Sequence, residues 1–70
     1  MTDRIGVRYE LLKKVESIDL PQGSRVRDLL EALSLYPDAY IVLIGRRPVP
    51  ITEELKDGAE LRIIKVASGG

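Results

Sequence analysis

Ser24-Arg25-Val26-Arg27-Asp28-Leu29-Leu30-Glu31-Ala32-Leu33 is the stretch of this chain that decides its fold. Its apolar residues recur three and four positions apart, which is the spacing of one face of an α-helix. Ser24 is expected to cap this helix, because its hydroxyl can accept a backbone N–H of the first turn. Pro37 requires the helix to end by about Tyr36. The pattern predicts one helix over about residues 25–34.

Two strands are predicted before the helix. Ile5, Val7 and Tyr9 alternate with small or charged residues, which is the period of a half-buried strand. Residues 10–14 are expected to form a turn, and residues 15–20 a second strand. Because the two strands are so close in sequence, they are expected to pair as a hairpin.

A third strand is predicted after the helix, at residues 40–44. These residues are apolar and rich in β-branched side chains, which is typical of a central strand covered on both faces. Gly45-Arg46 is expected to turn the chain. Val49 lies between two prolines, and such a segment fits only the edge of a sheet.

The last third of the body contains two turns and a strand. Thr52 is expected to cap a single helical turn that ends at Leu55. Lys56-Asp57-Gly58 carries the Asp-Gly signature of a tight turn. Residues 61–66 are predicted to be the final strand.

The order β-β-α-β-(β)-β, with one long helix, predicts an α+β fold in which a mixed sheet packs on that helix. Residues 1–66 are expected to form a single domain and residues 67–70 a flexible tail. A chain of 70 residues without Phe or Trp must build a small aliphatic core. The three tyrosines are expected to pack at its rim.

The composition argues against several functions. The chain has no Cys and no His, so it lacks the usual nucleophile, general base and zinc ligands. We therefore expect no enzyme activity, no metal site and no bound cofactor. Eleven basic residues balance eleven acidic ones, which argues against a direct nucleic-acid partner. No apolar run approaches the roughly 20 residues that span a bilayer, and no signal peptide is recognisable, so we expect a cytoplasmic protein without a membrane partner.

The sequence ends in Ala67-Ser68-Gly69-Gly70. Glycines lack a Cβ and are the most costly residues to order, so this segment is expected to be mobile. Extended, it reaches roughly 13 Å at about 3.3 Å per residue. It could therefore carry the α-carboxylate of Gly70 away from the body and into the narrow active site of another protein.

Taken together, these features resemble the β-grasp proteins of the ubiquitin superfamily. The nearer match is the MoaD/ThiS group of sulfur carriers and the archaeal small modifier proteins. The resemblance rests on the helix opening at residues 24–30, the segment Gly45-Arg46-Arg47-Pro48-Val49-Pro50, the turn at residues 56–58 and the ending at residues 66–70. Two features depart from it: Ile44-Gly45 stands where many carriers have Asn-Gly, and the tail lacks the arginines of ubiquitin.

The resemblance implies that Gly70 is the reactive residue and that Gly69 lets the chain enter a narrow channel. An E1-like partner enzyme would join the carboxylate to AMP, using ATP and Mg²⁺ that the partner binds. A sulfur donor would then convert the adenylate to a thiocarboxylate, for tRNA thiolation, molybdopterin synthesis or thiamine synthesis. Alternatively, the carboxylate would be conjugated to lysines of target proteins through an isopeptide bond.

The partner is expected to dock on the last strand. If Leu61 and Ile63 face the helix, Ile64 and Val66 lie on the open face beside the tail. We predict docking through Ile64, Val66 and Ile44, with Ile41 as the alternative to Ile44, because the sequence does not fix which face of residues 40–44 is exposed.

Two other functions remain open from the sequence. The chain could be the small subunit of a molybdopterin synthase-like complex, in which the sulfur is consumed in the pocket of the partner. It could also be a plain β-grasp interaction module whose tail has no role. The latter would keep its function after Gly69 and Gly70 are deleted.

Overall fold

The computed structural model describes residues 3–66 as one helix, one 3₁₀ turn and five strands. Their bounds are β1 Arg4–Leu11, β2 Lys14–Pro21, α1 Val26–Ala32, the 3₁₀ turn Pro37–Ala39, β3 Tyr40–Ile44, β4 Arg47–Val49 and β5 Glu60–Lys65. The predicted order of elements is confirmed. The predicted boundary between the domain (residues 1–66) and the tail (residues 67–70) coincides with the limit of the described residues and stays a prediction.

The strands form one mixed sheet in the order β2-β1-β5-β3-β4. β1 and β2 are an antiparallel hairpin, and β5 lies between β1 and β3, parallel to the first and antiparallel to the second. β4 is the short edge strand predicted around Val49. This is the α+β, β-grasp arrangement that the sequence predicts.

The core fills the space between the helix and one face of the sheet. The helix contributes Val26, Leu29 and Leu30, each 0% exposed. The remaining buried apolar residues come from the strands and one loop: Ile5, Val7, Tyr9, Leu20, Val42, Leu55, Leu61 and Ile63. The prediction that the tyrosines stay at the rim is wrong for Tyr9, which is 7% exposed. It occupies a core-facing position of β1 between its neighbours on β2 and β5.

The start of the helix differs from the prediction. Arg25, not Ser24, is the N-cap residue, and the carboxylate of Asp28 accepts its backbone N–H at 2.7 Å. Ser24 is buried, and its hydroxyl donates to the carbonyl of Pro21 at 2.6 Å. Ser24 therefore fixes the turn before the helix instead of capping the first helical turn.

The helix also ends earlier than residue 34. Ser34 adopts a left-handed conformation with φ 61°. The N–H of Ser34 donates to the carbonyl of Glu31, and that of Leu35 to the carbonyl of Leu30. These two bonds form a Schellman motif, and they direct Leu35 back to pack against the core.

Residues 52–55 do not form the predicted helical turn. Glu54 pairs with Arg25 in an isolated β-bridge, and Leu55 donates its N–H to the carbonyl of Ser24 at 2.8 Å. The carbonyls of Ile51 and Glu53 accept the N–H groups of Arg27 and Val26. Residues 51–52 form a turn, and the segment then runs beside the helix start because it satisfies the exposed donors there, and because Leu55 is buried in the core at 2% exposure.

The turns at Gly45 and Gly58 are placed as the sequence predicts, whereas the turn predicted at residues 10–14 is confined to Leu12 and Lys13. Gly45 and Gly58 both have positive φ, 67° and 84°, a conformation that favours glycine. Asp57 also ties its turn to β1, since its carboxylate accepts the N–H of Gly6 at 2.7 Å. No helix in the described part of the chain is long and apolar enough to cross a membrane.

Candidate functional site

The candidate site is built on the two faces of β5. Leu61 and Ile63 are 4% and 3% exposed and face the helix, whereas Ile64 is 42% exposed on the other side of the strand. The alternation within the strand is therefore as the sequence predicts. Val66, which follows β5, is half-buried. It continues the pairing, because its N–H donates to the carbonyl of Ala39 at 2.9 Å.

Ile64 belongs to a small apolar surface at one corner of the open face. Ile41 lies directly opposite Ile64 in the β3–β5 ladder and is 44% exposed. Leu12 and Val15, at the end of the β1–β2 hairpin, are 74% and 60% exposed. We call Leu12, Val15, Ile41 and Ile64 the apolar corner.

Ile44 is not part of this corner, and its predicted position is wrong. It pairs with Leu61 on the helix side of the sheet and packs against the core. Because all five residues of β3 are apolar or aromatic, the sequence gives no alternation from which its exposed face can be read. β3 is consequently covered on one face only, not on both, and Ile41 takes the place predicted for Ile44.

The apolar corner stands where the chain leaves the sheet. β5 lies inside the sheet, and its last residues run beside the end of β1 and the start of β3. Val66 therefore lies near the middle of this sheet end, next to Ile64 of the apolar corner. Gly69 and Gly70, the predicted reactive residues, lie outside the described residues.

The hairpin turn, predicted at residues 10–14 only as a link between two strands, borders this site and is shorter than predicted. Leu12 and Lys13 alone connect β1 to β2, and both have positive φ, 53° and 68°. This is the geometry of a type I′ turn, which normally takes Asn-Gly or another glycine pair. Leu-Lys carries no such signature, so only the short spacing between the two strands could have indicated it.

Next to the apolar corner, the open face becomes charged. Glu10 and Arg62 are paired residues of β1 and β5, and their side chains approach to 3.8 Å. Arg8 and Glu60 are the next pair along the same ladder. The surface of the sheet thus has a charged half and an apolar half, and the apolar half is the one near Val66.

Tyr9 is the described residue with a clearly shifted pKa. Burial raises the pKa of its phenol above the ordinary 10.0, and the negative charge of Glu16 adds to the shift. The phenol is therefore held in its neutral form. Within residues 3–66 there is also no group of three acidic, His or Cys side chains that could hold a metal ion.

A concave surface lies on the helix side of the molecule, away from the apolar corner. Its volume is about 460 Å³, and its lining includes Leu35, Tyr36 and Ile51, with Arg27 and Glu31 along one wall. Tyr36 is 80% exposed. This groove does not include any residue of β5.

Comparison with known proteins identifies the family. A sequence model of the ThiS family matches residues 5–70, including the Gly-Gly ending. The chain belongs to the ThiS family. An uncharacterised protein of Archaeoglobus fulgidus is 33% identical over 48 residues, covering 69% of this chain and 70% of that protein.

Solved structures agree with this assignment. SAMP1 of Haloferax volcanii has a TM-score of 0.73 at 21% identity, covering 93% of this chain and 99% of that chain. A Pyrococcus furiosus protein described as molybdopterin converting factor, subunit 1, has a TM-score of 0.67 at 26% identity, covering 94% and 100%. Solved ubiquitin-like proteins share the same fold.

Family membership gives the general role of the protein. ThiS-family and ubiquitin-like proteins are small carrier proteins and not catalysts. The family implies interaction with E1-like and sulfur-transfer enzymes. The chain is accordingly a ubiquitin-like carrier or modifier of the ThiS/MoaD type.

Proposed function

We propose that this protein is a carrier whose Gly70 carboxylate is adenylated by an E1-like enzyme and then converted to a thiocarboxylate. One observation carries the proposal: a strand inside the sheet leads to the Gly-Gly ending, and an exposed apolar corner lies at the end of that strand. The ThiS-family match extends through Gly70, which supports a role for the ending itself.

The Gly70 carboxylate is a poor electrophile and must be activated before a sulfur atom can attack it. The carboxylate oxygen of Gly70 attacks the α-phosphorus of ATP, and pyrophosphate leaves with its bonding electrons. The resulting acyl adenylate has AMP as a good leaving group. ATP and Mg²⁺ belong to the site of the partner enzyme, so this chain supplies the carboxylate and the surface that positions it.

Sulfur transfer follows in two further steps. The terminal sulfur of a donor persulfide attacks the acyl carbon and expels AMP, which gives an acyl persulfide. A thiol of the sulfur-transfer enzyme then breaks the S–S bond, which releases the thiocarboxylate and leaves a disulfide on the enzyme. If a partner thiol attacks the adenylate instead, it expels AMP and forms a thioester. A lysine amine of a target protein then attacks the thioester and expels the thiol, which gives an isopeptide bond.

Docking on the activating enzyme is assigned to Ile64, Val66 and Ile41. Ile64 and Ile41 are opposed across two neighbouring strands, so one apolar hollow of the partner could cover both. Burying such a surface favours binding roughly in proportion to its area. The enzyme that binds the tail must lie close to Val66. Ile64 and Ile41 form the apolar surface next to Val66.

Pyrophosphate exchange tests the proposal. The purified protein is mixed with each E1-like enzyme of its host, ATP and labelled pyrophosphate, and exchange that depends on this protein is expected with one of them. Deletion of Gly70, or addition of one alanine after it, should abolish exchange. The matched control Lys56→Ala changes an exposed residue of a distant turn and should leave exchange unchanged. Lack of exchange with every such enzyme of the host would refute the proposal.

Intact mass spectrometry of the protein from its host separates the products. Replacement of one terminal oxygen by sulfur identifies a thiocarboxylate, whereas a branched Gly-Gly peptide on a lysine of another protein identifies conjugation. Stable co-purification with a larger sulfur-consuming subunit would favour the molybdopterin synthase-like alternative, for which the similarity to molybdopterin converting factor, subunit 1, is the supporting observation. Full function after deletion of Gly69 and Gly70 would favour the plain interaction module.

A further inference from the structure

The β1–β2 turn combines backbone strain with an exposed apolar side chain. Leu12 and Lys13 both occupy the left-handed region, at φ 53° and 68°. For residues with a Cβ this conformation is unfavourable, and a branched aliphatic residue is an unusual occupant. Asn-Gly would adopt the same turn without strain.

Packing within the domain does not account for Leu12. Its side chain is 74% exposed, the second most exposed of the large apolar side chains in residues 3–66. The side chain therefore gains little from burial in this domain, while the turn keeps it in a strained position. Strain of this kind, combined with exposure, points to a function outside the fold.

The position of the turn indicates which partner uses it. Leu12, Ile64 and Lys65 line one shallow depression of about 260 Å³ on the side of the sheet end from which Val66 leaves. Leu11 pairs with Ile63 at the end of the β1–β5 ladder, so the turn stands directly beside the last residues of β5. A protein that binds next to the end of β5 therefore lies close to this depression.

The charges around the depression indicate the chemistry of that partner. Lys13, Arg62 and Lys65 line it together with one carboxylate, Glu10, and Glu10 is paired with Arg62. Among residues 3–66, the two lysines are thus the charges of this depression that a partner can match. An apolar centre with a lysine border fits an apolar hollow edged by carboxylates.

We propose that Leu12 is a specificity-determining anchor of this protein. It inserts into an apolar hollow of the activating enzyme, whose border carries carboxylates that face Lys13 and Lys65. The inference rests on the proposed function, since the enzyme that adenylates Gly70 is the partner in question. The left-handed turn holds Leu12 at the edge of the depression that Ile64 also lines.

Two single substitutions distinguish the effect of the Leu12 side chain on binding from the effect of backbone strain on stability. Asparagine tolerates the left-handed conformation, so Leu12→Asn should raise the Tm by roughly 3–6 °C. Because the substitution removes the apolar side chain, the KM for this protein in pyrophosphate exchange should rise about tenfold. Lys13→Gly relieves strain at the second position and keeps Leu12. It should raise the Tm similarly. It should raise KM less than Leu12→Asn does, through loss of the Lys13 charge, and that part of the effect should shrink with added salt.

Two matched controls test location and charge. Ile51→Asn removes an exposed apolar side chain of the helix-side groove and should leave KM unchanged. Lys13→Glu should raise KM, and this effect should shrink with added salt, whereas Lys56→Glu should leave KM unchanged.

The outcomes distinguish the two proposals. If the unaltered protein supports exchange and Leu12→Asn leaves KM unchanged, the anchor is refuted while the proposed function stands. If Leu12→Asn and Ile51→Asn raise KM equally, the effect is not specific to the turn, and the anchor is again refuted. If the unaltered protein supports no exchange with any E1-like enzyme of its host, both proposals fail together.

Discussion

Ile63 and Ile64 are chemically identical neighbours in β5 with opposite surroundings. Ile63 is 3% exposed and packs under the helix, whereas Ile64 is 42% exposed on the open face of the sheet. The same side chain thus contributes to the stability of the domain at one position and remains available to a partner at the next. The difference arises from the two-residue repeat of the strand and from a single helix, which covers one face only.

The comparison extends from these two residues to the whole sheet. The covered face is continuous and apolar from Leu20 in β2 to Val42 in β3. The open face is divided between charged pairs and the apolar corner. A carrier needs both, because its body must stay folded while one surface is repeatedly covered and released by other proteins.

The largest effect is expected from placing a charge on each face of β5. Ile63→Glu buries a carboxylate without a partner, at a cost of several kcal/mol. A domain of this size is stable by only about 4–10 kcal/mol, so the variant should be largely unfolded by circular dichroism. Ile64→Glu should stay folded and should lower the efficiency of pyrophosphate exchange.

The reverse result for this pair would contradict the assignment of faces. A folded Ile63→Glu together with an unfolded Ile64→Glu would mean that the helix covers the other side of β5. Folding of both variants with unchanged exchange would instead show that the open face is not a docking surface.

A smaller effect is expected from removing apolar volume on each face. Leu29 is 0% exposed, and Leu29→Ala leaves a cavity under the sheet that should cost about 2–5 kcal/mol. Ile41 is 44% exposed, and Ile41→Ala should cost about 1 kcal/mol or less. Urea denaturation of both variants measures the difference, and equal losses would show that Ile41 belongs to the core.

The smallest effect concerns pH and Tyr9 on the covered face. Because burial raises the pKa of its phenol in the folded state above 10.0, the unfolded chain loses the proton first. The contribution of Tyr9 to the free energy of unfolding is therefore complete below about pH 10, and it declines as the pH rises above that value. Denaturation between pH 8 and pH 11, values chosen to lie roughly on either side of the ordinary pKa, should show a shallower decline for Tyr9→Phe. Tyr36→Phe is the control, and an identical slope in all three proteins would contradict burial as the cause.

The element order and the faces of β5 follow from the sequence because their patterns are regular. Leu61 and Ile63 alternate with Arg62, so only one face of β5 can be buried without burying a charge. In β3 there is no such alternation, and the choice between Ile41 and Ile44 depends on pairing with β5. Register between distant strands is a tertiary property that a local pattern does not contain.

The details that the sequence does not predict arise where distant segments meet. Ser24 has the expected chemistry for a cap, but the loop at residues 51–55 supplies carbonyls to the same N–H groups. The turn predicted at residues 10–14 is present but consists of Leu12 and Lys13 alone. Its left-handed conformation is not predicted, since these residue types disfavour it. At Ser24, hydrogen bonds from a distant loop override the local preference for a serine cap. At Leu12-Lys13, closure of the hairpin overrides the conformational preference of the two residues.

The position of β5 between two partners has a mechanical consequence. A pull on Val66 acts along the strand, so the ladders to β1 and β3 are loaded in shear and many hydrogen bonds must break together. Under such a load the unfolding rate, not the equilibrium stability, decides survival. A protein attached through this end would therefore be pulled by a strand that is hydrogen-bonded on both sides, and the domain would resist a pulling machine better than its small core suggests.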